Sequence, residues 1–397
     1  GYPSRLGSFI AWLARHRKQL DIRLLKWSVG ALSTIGRASM WWDLARWVRH
    51  RQISFKFDTA HPIGCTHHQK IAVLDNKVAV CGGIDMTDKR WDTRDHKEHD
   101  PRRKTPRGTD YGPWHDVSMM MEGDVAKALA DLGGDRWICA GGRQLPDVED
   151  GPGNPWPNAL TAQFEDVEIG IARTRAAYRD WDKVDEIAQL YLKHIAGAKR
   201  FIYAESQYFA SRVIAEAIIE RLQEDDPPEI VIVHPRHADG WLEQQAMDHA
   251  RAELVRSIEE ADTKGRFSLW SPFSGETPIY VHAKLMVIDD QILRIGSANL
   301  NNRSMGLDSE CDVFIDLRGG APAFPSHEKR NGYFWADPKK TGELERIALT
   351  AREMVGEFEK TVYFRLEESL CAHSRANKPG CTRCLDVCPT EAIFSFG

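Results

Sequence analysis

Two stretches of this chain repeat one pattern: "HQKIAVLDNKVAVCGG" at 68–83 and "HAKLMVIDDQILRIGS" at 282–297. In each, a lysine stands two residues after a histidine, an aspartate five after the lysine, and a glycine seven after the aspartate. The offset is constant, since 282 − 68 and 296 − 82 both give 214. The apolar residues between read as two short strands joined by a turn, at Asp75-Asn76 in the first copy. The repeat continues upstream: "LGSFIAWLARHRKQLDIRLLKW" and "VIAEAIIERLQEDDPPEIVIVH" both read as an amphipathic helix followed by a buried strand. A further helical stretch and a strand ("ISFKF"; "FSLW") then lead into each histidine segment. Helices alternating with short apolar strands predict a layered α/β architecture. A duplicated unit predicts two similar lobes about a pseudo-twofold axis, with the two motifs meeting at their interface, where ligand sites often lie.

The residue types fit phosphoryl chemistry. Of two converging imidazoles, one can attack as a neutral base and the other can protonate a leaving group. Lys70, Lys284 and Asn299 would hold phosphoryl oxygens and stabilise transition-state charge, as metal ions do elsewhere. In an extended H-x-K segment residues i and i+2 point the same way, so both side chains can reach one phosphate. A histidine nucleophile needs an orienting carboxylate on its other nitrogen. Asp92 after the first motif and Glu310 after the second are candidates, while Asp75 and Asp289 read as turn-organising groups just behind the site.

These residues resemble the H-x-K-x4-D-x6-G-[GS] motif of the phospholipase D superfamily, a resemblance that covers residues 1 to 318 or so. "GGIDMTDKRWDT", "PWHDVSMMMEGDVAKAL", "FIYAESQYF" and "GSANLNNRS" are similar to the longer eukaryotic-type members and their bacterial relatives. The resemblance implies two α/β/α sandwich lobes and a metal-free phosphodiesterase working through a phosphohistidine. It also implies His68 as nucleophile, His282 as acid and then base, and phosphate contacts from Lys70, Lys284 and Asn299. Asp85 stands where Asn299 stands in the second copy, so the copies differ there. The expected reaction is hydrolysis or transphosphatidylation of a glycerophospholipid to phosphatidate and a headgroup alcohol. The alternatives are a cardiolipin synthase-like transferase or a nuclease on the same site, or an iron–sulfur electron-transfer protein fused to a phospholipase remnant.

The expected domains are a first lobe (1–165), a second lobe (166–318), a linker and helix (319–360), and a small Cys-rich tail (361–397). Cys381-x2-Cys384-x3-Cys388-Pro389 resembles the end of a bacterial ferredoxin run, with Lys378 where its first cysteine would fall and Cys371 as the substitute. A 4Fe-4S cluster on these four is the expectation, with four-cysteine zinc as the alternative; the phosphodiesterase itself needs no cofactor. His61, Cys65, His67 and His68 have zinc-binding residue types, but the second copy has no counterpart set, and His67 reads as a local contact. Cys65, Cys81, Cys139 and Cys311 read as buried apolar residues.

The formal charge of −5 does not suit a nucleic-acid-binding surface, and no apolar run is long enough to span a membrane. Most of the thirteen tryptophans, including Trp41, Trp42 and Trp47, are expected in the core rather than at a lipid interface. The mixed-charge stretch "DTRDHKEHDPRRKTPRGTDYG" reads as a solvated loop, with a role at the cleft entrance as the alternative, and "EDGPGNPWPN" as a connector between lobes. No signal peptide is recognisable, and with Gly1 at its head the chain reads as an incomplete start. The expected setting is a monomer in the cytoplasm or at a membrane surface, acting on phospholipid with water or a primary alcohol as acceptor.

Overall fold

The computed structural model describes residues 2–27, 38–146, 148, 156–165, 167–237 and 241–317. All belong to one compact unit, Gly1–Pro325; a second unit, Ser326–Gly397, lies outside the described residues, and so do Cys371, Cys381, Cys384 and Cys388. Most of the "EDGPGNPWPN" connector lies outside them as well.

In the first half, α1 (Leu6–His16) precedes β1 (Ile22–Trp27), and α2 (Ala38–Trp47) precedes β2 (Ile53–Asp58), which runs parallel to β1. The first motif supplies the hairpin β3 (Ile71–Leu74) and β4 (Val78–Gly82). After the short β5 (Trp114–His115), β6 (Ser118–Glu122) joins β4, and α3 (Asp124–Cys139) packs on this small sheet.

The second half opens with β7 (Ile169–Arg175), β8 (Val184–Asp185), α4 (Glu186–Gly197), β9 (Phe201–Glu205), β10 (Phe209–Ala210) and α5 (Arg212–Leu222). It continues with β11 (Glu229–Val233), α6 (Trp241–Ala261), β12 (Phe267–Trp270), and the short strands β13 (Phe273–Ser274), β14 (Thr277–Pro278) and β15 (Tyr280–Val281). The second motif then forms β16 (Leu285–Ile288) and β17 (Ile292–Gly296), followed by β18 (Leu300–Asn301), α7 (Asn302–Gly306) and β19 (Glu310–Asp316). Eight of these strands make one mixed sheet in the order β12-β11-β9-β16-β17-β19-β7-β8. Helix α4 shows why the chain folds back: Ile187, Leu190, Tyr191, His194 and Ile195 are buried at helical spacing and pack on the sheet.

The repeat is visible, but the halves are unequal. In the second half β9 lies between β11 and β16, pairing with both. Among the described residues no strand bridges their counterparts β1 and β3, so in the first half these strands lie in two small sheets where their counterparts share one large one. Burial follows: Leu74, closing β3, is 58% exposed, whereas its counterpart Ile288 is 0% exposed.

Strand β19 joins the halves. Its period-two alternation sends Phe314 into the core of the second half, while Cys311 and Val313 pack with Ala79, Cys81, Met121 and Leu129 of the first. This second core fixes one half on the other. Leu129→Ala should therefore cost about 2–5 kcal/mol of stability. A denaturant-midpoint shift equivalent to less than about 1 kcal/mol would mean the joint is loosely packed.

Several expectations change here. Trp114 and Trp137 are buried, but Trp42, Trp91 and Trp270 are exposed. Most of the stretch after the first motif is exposed, as expected of a solvated loop, but it is anchored from within: Arg103 is 2% exposed and donates to Asp92 and to the Glu98 and Tyr111 carbonyls. Glu98 in turn accepts from Thr277 of the second half, so the loop packs beside the strand that leads to His282. Cys65, Cys81 and Cys311 are buried as expected, and Cys139 is half-buried.

Candidate active site at the junction of the two halves

Each H-x-K triplet lies in extended chain immediately ahead of its strand, β3 or β16, rather than inside it. Backbone bonds tie each to the opposite half. The His68 amide donates to the Ser309 carbonyl (2.9 Å), and the His282 amide to the His115 carbonyl (2.7 Å). Beyond each strand the chain reverses through residues with positive φ, Asp75 and Asn76 (50° and 55°) and Asp289 and Asp290 (55° and 59°). Asp and Asn tolerate this region better than most residues. Asp289 also accepts from the amides of Lys199, Arg200 and Phe201, anchoring the start of β9. Asp75 and Asp289 are thus turn-organising groups, as expected, but both head turns at the far ends of their strands rather than just behind the site, and Asp75 is in an exposed turn.

The glycine ending each motif has a steric reason. A Cβ on Gly82 would strike Ser118, and one on Gly296 would strike Asp312. A Cβ on Gly83 would hit the Asp116 carboxylate and crowd Lys284.

The two histidines are held crosswise. His68 Nδ1 faces both oxygens of Glu310 (3.1 and 3.0 Å), which comes from the second half. Glu310 is fully buried and also accepts from Ser297 Oγ (2.5 Å) and Ser304 Oγ (2.7 Å). His282 Nδ1 faces Asp116 Oδ2 (2.8 Å), which comes from the first half. In both rings Nε2 is left for chemistry. Lys70 and Lys284 each donate to the carbonyl of their own histidine. Lys70 also lies 3.3 Å from Asp85, and Lys284 donates to Gln207 Oε1 (3.2 Å). Asn299 is buried, and its side-chain oxygen has no partner among the described residues.

Asp92 does not orient His68. It accepts from Arg103, from the Trp114 amide and from His96, and His96 continues to His115, Glu205 and Tyr203 in an unbroken line of hydrogen bonds. This line ties the loop after the first motif to β9. Sequence reasoning missed Asp116 and Gln207 as site residues. Their signal was the His-Asp pair in "PWHDV" and the Gln in "ESQYF". The zinc-type residues do not converge either. His61 accepts from Trp27, His67 lies against Asp58 and Ser309, and His68 turns to Glu310.

Electrostatics separates the two half-sites. Burial alone would raise the Glu310 carboxyl, but the neighbouring His68 and Lys70 charges hold it below its usual value. Burial, then the Lys284 charge, pushes His282 well below an ordinary imidazole, and burial raises Asp116. Both shifts work against charge on the His282–Asp116 pair. An anion bound between the lysines would offset their repulsion and let His282 take a proton. Burial also pushes Lys284 down to about 7.

Lys284 predicts a stability signature. With its folded pKa below its unfolded one, the unfolded chain binds more protons between about pH 7 and 10.5, so stability rises with pH across that window. Lys284→Met should stabilise the fold at neutral pH by up to about 4 kcal/mol, an advantage that fades toward pH 10.5 or so. Thermal melts across this range check it; a gain independent of pH would point to packing alone.

Residues 45–231 match the family described as "Phospholipase D", and residues 191–328 the family described as "Cardiolipin synthase, PLD-like domain". Similar relatives include "Phospholipase D alpha 1" of Oryza sativa subsp. japonica, 24% identical over 371 residues (65% of this chain, 45% of the relative). "Phospholipase D1" of Saccharomyces cerevisiae is 28% identical over 342 residues (64% and 20%). The chain thus spans less than half the length of these relatives. Among solved structures, phosphatidylserine synthase of Haemophilus influenzae Rd KW20 is similar in fold, with TM-score 0.53 and 14% identity over 78% of this chain and 72% of that one.

Proposed function

We propose that this chain, whose family matches and phospholipase D relatives support the phospholipase D superfamily, is a phosphodiesterase that transfers a phosphatidyl group from a phospholipid to water or a primary alcohol. The observation that carries this reading is the crossed arrangement of two imidazoles, each oriented by a carboxylate of the other half, beside two lysines and the buried Asn299.

His68 Nε2 attacks phosphorus, forming a P–N bond as the bond to the headgroup oxygen breaks. His282 Nε2, protonated once the anion is bound, gives its proton to that oxygen. An acceptor hydroxyl then loses its proton to His282 and attacks phosphorus, and the P–N bond breaks to restore His68. Lys70, Lys284 and Asn299 hold the phosphoryl oxygens throughout. Glu310 and Asp116 fix the tautomers and offset the imidazolium charge.

An assay of the full chain on phosphatidylcholine, phosphatidylethanolamine, cardiolipin and single-stranded DNA tests the substrate class. Phospholipid cleavage is expected to survive exhaustive chelation by EDTA, because the lysines supply the charge neutralisation. Cleavage of DNA alone, or activity restored only by a divalent ion, would sink this reading. The second family match favours a phosphatidyltransferase reading, in which the alcohol product outweighs hydrolysis when a glycerol-type acceptor is added.

The lobes are proposed to meet near residues 165 and 166, and the chain to work as a monomer in the cytoplasm or at a membrane surface. For the tail, a 4Fe-4S cluster on Cys371, Cys381, Cys384 and Cys388 is proposed from their spacing alone. Visible absorbance after anaerobic reconstitution, lost in Cys384→Ala, would support it.

A further inference from the structure

The two copies of the motif diverge at one position inside the cleft. Asn299 and Asp85 are separated by the repeat offset of 214 and so are counterparts. An amide can donate to a phosphoryl oxygen, whereas a carboxylate can only accept. Asp85 nevertheless stands among the phosphate-binding groups. Its Oδ1 lies 3.3 Å from Lys70 Nζ, and its Oδ2 lies 3.4 Å from Arg90 Nη2 and 3.8 Å from His282 Nε2, the nitrogen left for chemistry. Arg90 is itself stacked over Trp114, 4.0 Å from the ring centre, which holds this cluster in place.

We propose that Asp85 is a charge filter: a fixed carboxylate beside the phosphoryl position that admits a phosphodiester monoanion and turns away a phosphomonoester dianion. This deepens the phosphodiesterase reading and rests on it. Burial works against ionisation of Asp85, but Lys70, His282, His68 and Arg90 outweigh it and push its pKa down to about 2, so the charge is permanent. The other acid facing it, Asp116, is raised by burial and is engaged by His282 Nδ1 at 2.8 Å. A diester carries one charge, which Lys70 and Lys284 meet. A monoester carries a second charge above about pH 6, and it falls beside Asp85. Repulsion over such a distance at the effective dielectric of a cleft is worth on the order of tenfold or more in affinity. The reaction's own phospholipid product is a monoester, so the same carboxylate would help expel it and keep free phosphate esters from blocking the site.

The test is binding of two small probes, dimethyl phosphate and methyl phosphate, to the full chain, followed by phosphorus NMR. In the unmodified protein, preference for dimethyl phosphate over methyl phosphate should grow by about tenfold between roughly pH 5 and pH 8, as the monoester gains its second charge. Loss of the Lys284 charge across this range weakens the dianion more than the monoanion, so the contribution of Asp85 is read as the difference between the unmodified protein and Asp85→Asn. In Asp85→Asn the preference should grow by about tenfold less over the same range, with methyl phosphate bound at least about tenfold more tightly than before at the higher pH. A flat ratio in the unmodified protein overturns the filter without recourse to any variant. So does the unmodified preference persisting in Asp85→Asn, or neither probe binding at all. The readout needs no turnover: a chain that discriminates the probes but cleaves no phospholipid would keep the filter and lose the lipid reading.

Discussion

His68→Ala is expected to abolish turnover on every phosphodiester, because no other group stands ready to carry the phosphatidyl moiety. His282→Ala is expected to be equally inactive where the leaving alkoxide needs a proton, as in a choline ester. On an ester with a phenol-like leaving group, which departs without an acid, the second variant should still form the intermediate and then decay slowly. Mass spectrometry after a rapid, acid-free quench should find the adduct on the peptide containing His68. The electrostatics of the cleft sharpens this test, since burial and Lys284 push His282 toward the neutral form that a nucleophile needs. An adduct on the His282 peptide would reverse the two roles. No adduct on either would leave direct attack by water as the better account.

The second large effect concerns the orienting carboxylates. Glu310→Gln and Asp116→Asn keep shape and remove charge, and each should lower kcat by about 10²–10⁴-fold, the scale of a lost orienting group beside a catalytic imidazole. The crossed wiring separates them. Asp116→Asn weakens the acid, so a phenol-like leaving group should rescue intermediate formation. Glu310→Gln weakens the attacking ring, so no leaving group should rescue it. Steady-state and burst kinetics on matched choline and phenol esters check both. Equal rescue of the two variants would show that each carboxylate supports the cleft as a whole rather than its own histidine.

Much of this site was legible from local pattern. The constant offset marked both motifs, the Asp-Asn and Asp-Asp turns marked the hairpins, and the glycines marked places where Ser118 and Asp312 leave no room for a side chain. Glu310 was identifiable as a carboxylate near the second motif. Assigning Asp92 the same task failed for an identifiable reason. It follows the first motif as Glu310 follows the second, but its carboxylate is taken by Arg103, His96 and the Trp114 amide. Asp116 was the group needed, and its local signal was no more than the His-Asp pair in "PWHDV".

The sequence by itself determined the strands, the turns and the residue types of each half-site, because those follow from spacings of a few residues and from side-chain chemistry. Only the tertiary structure decided which carboxylate serves which histidine. The bonds that settle it join residues 242 and 166 positions apart, and each crosses from one half to the other. Their geometry depends on how β19 packs against both cores, a property of buried surfaces that no local window of the chain contains. The same holds for Asp85. Its identity was plain in the repeat, but its meaning came from Lys70, Arg90 and His282, which folding gathers around its carboxylate.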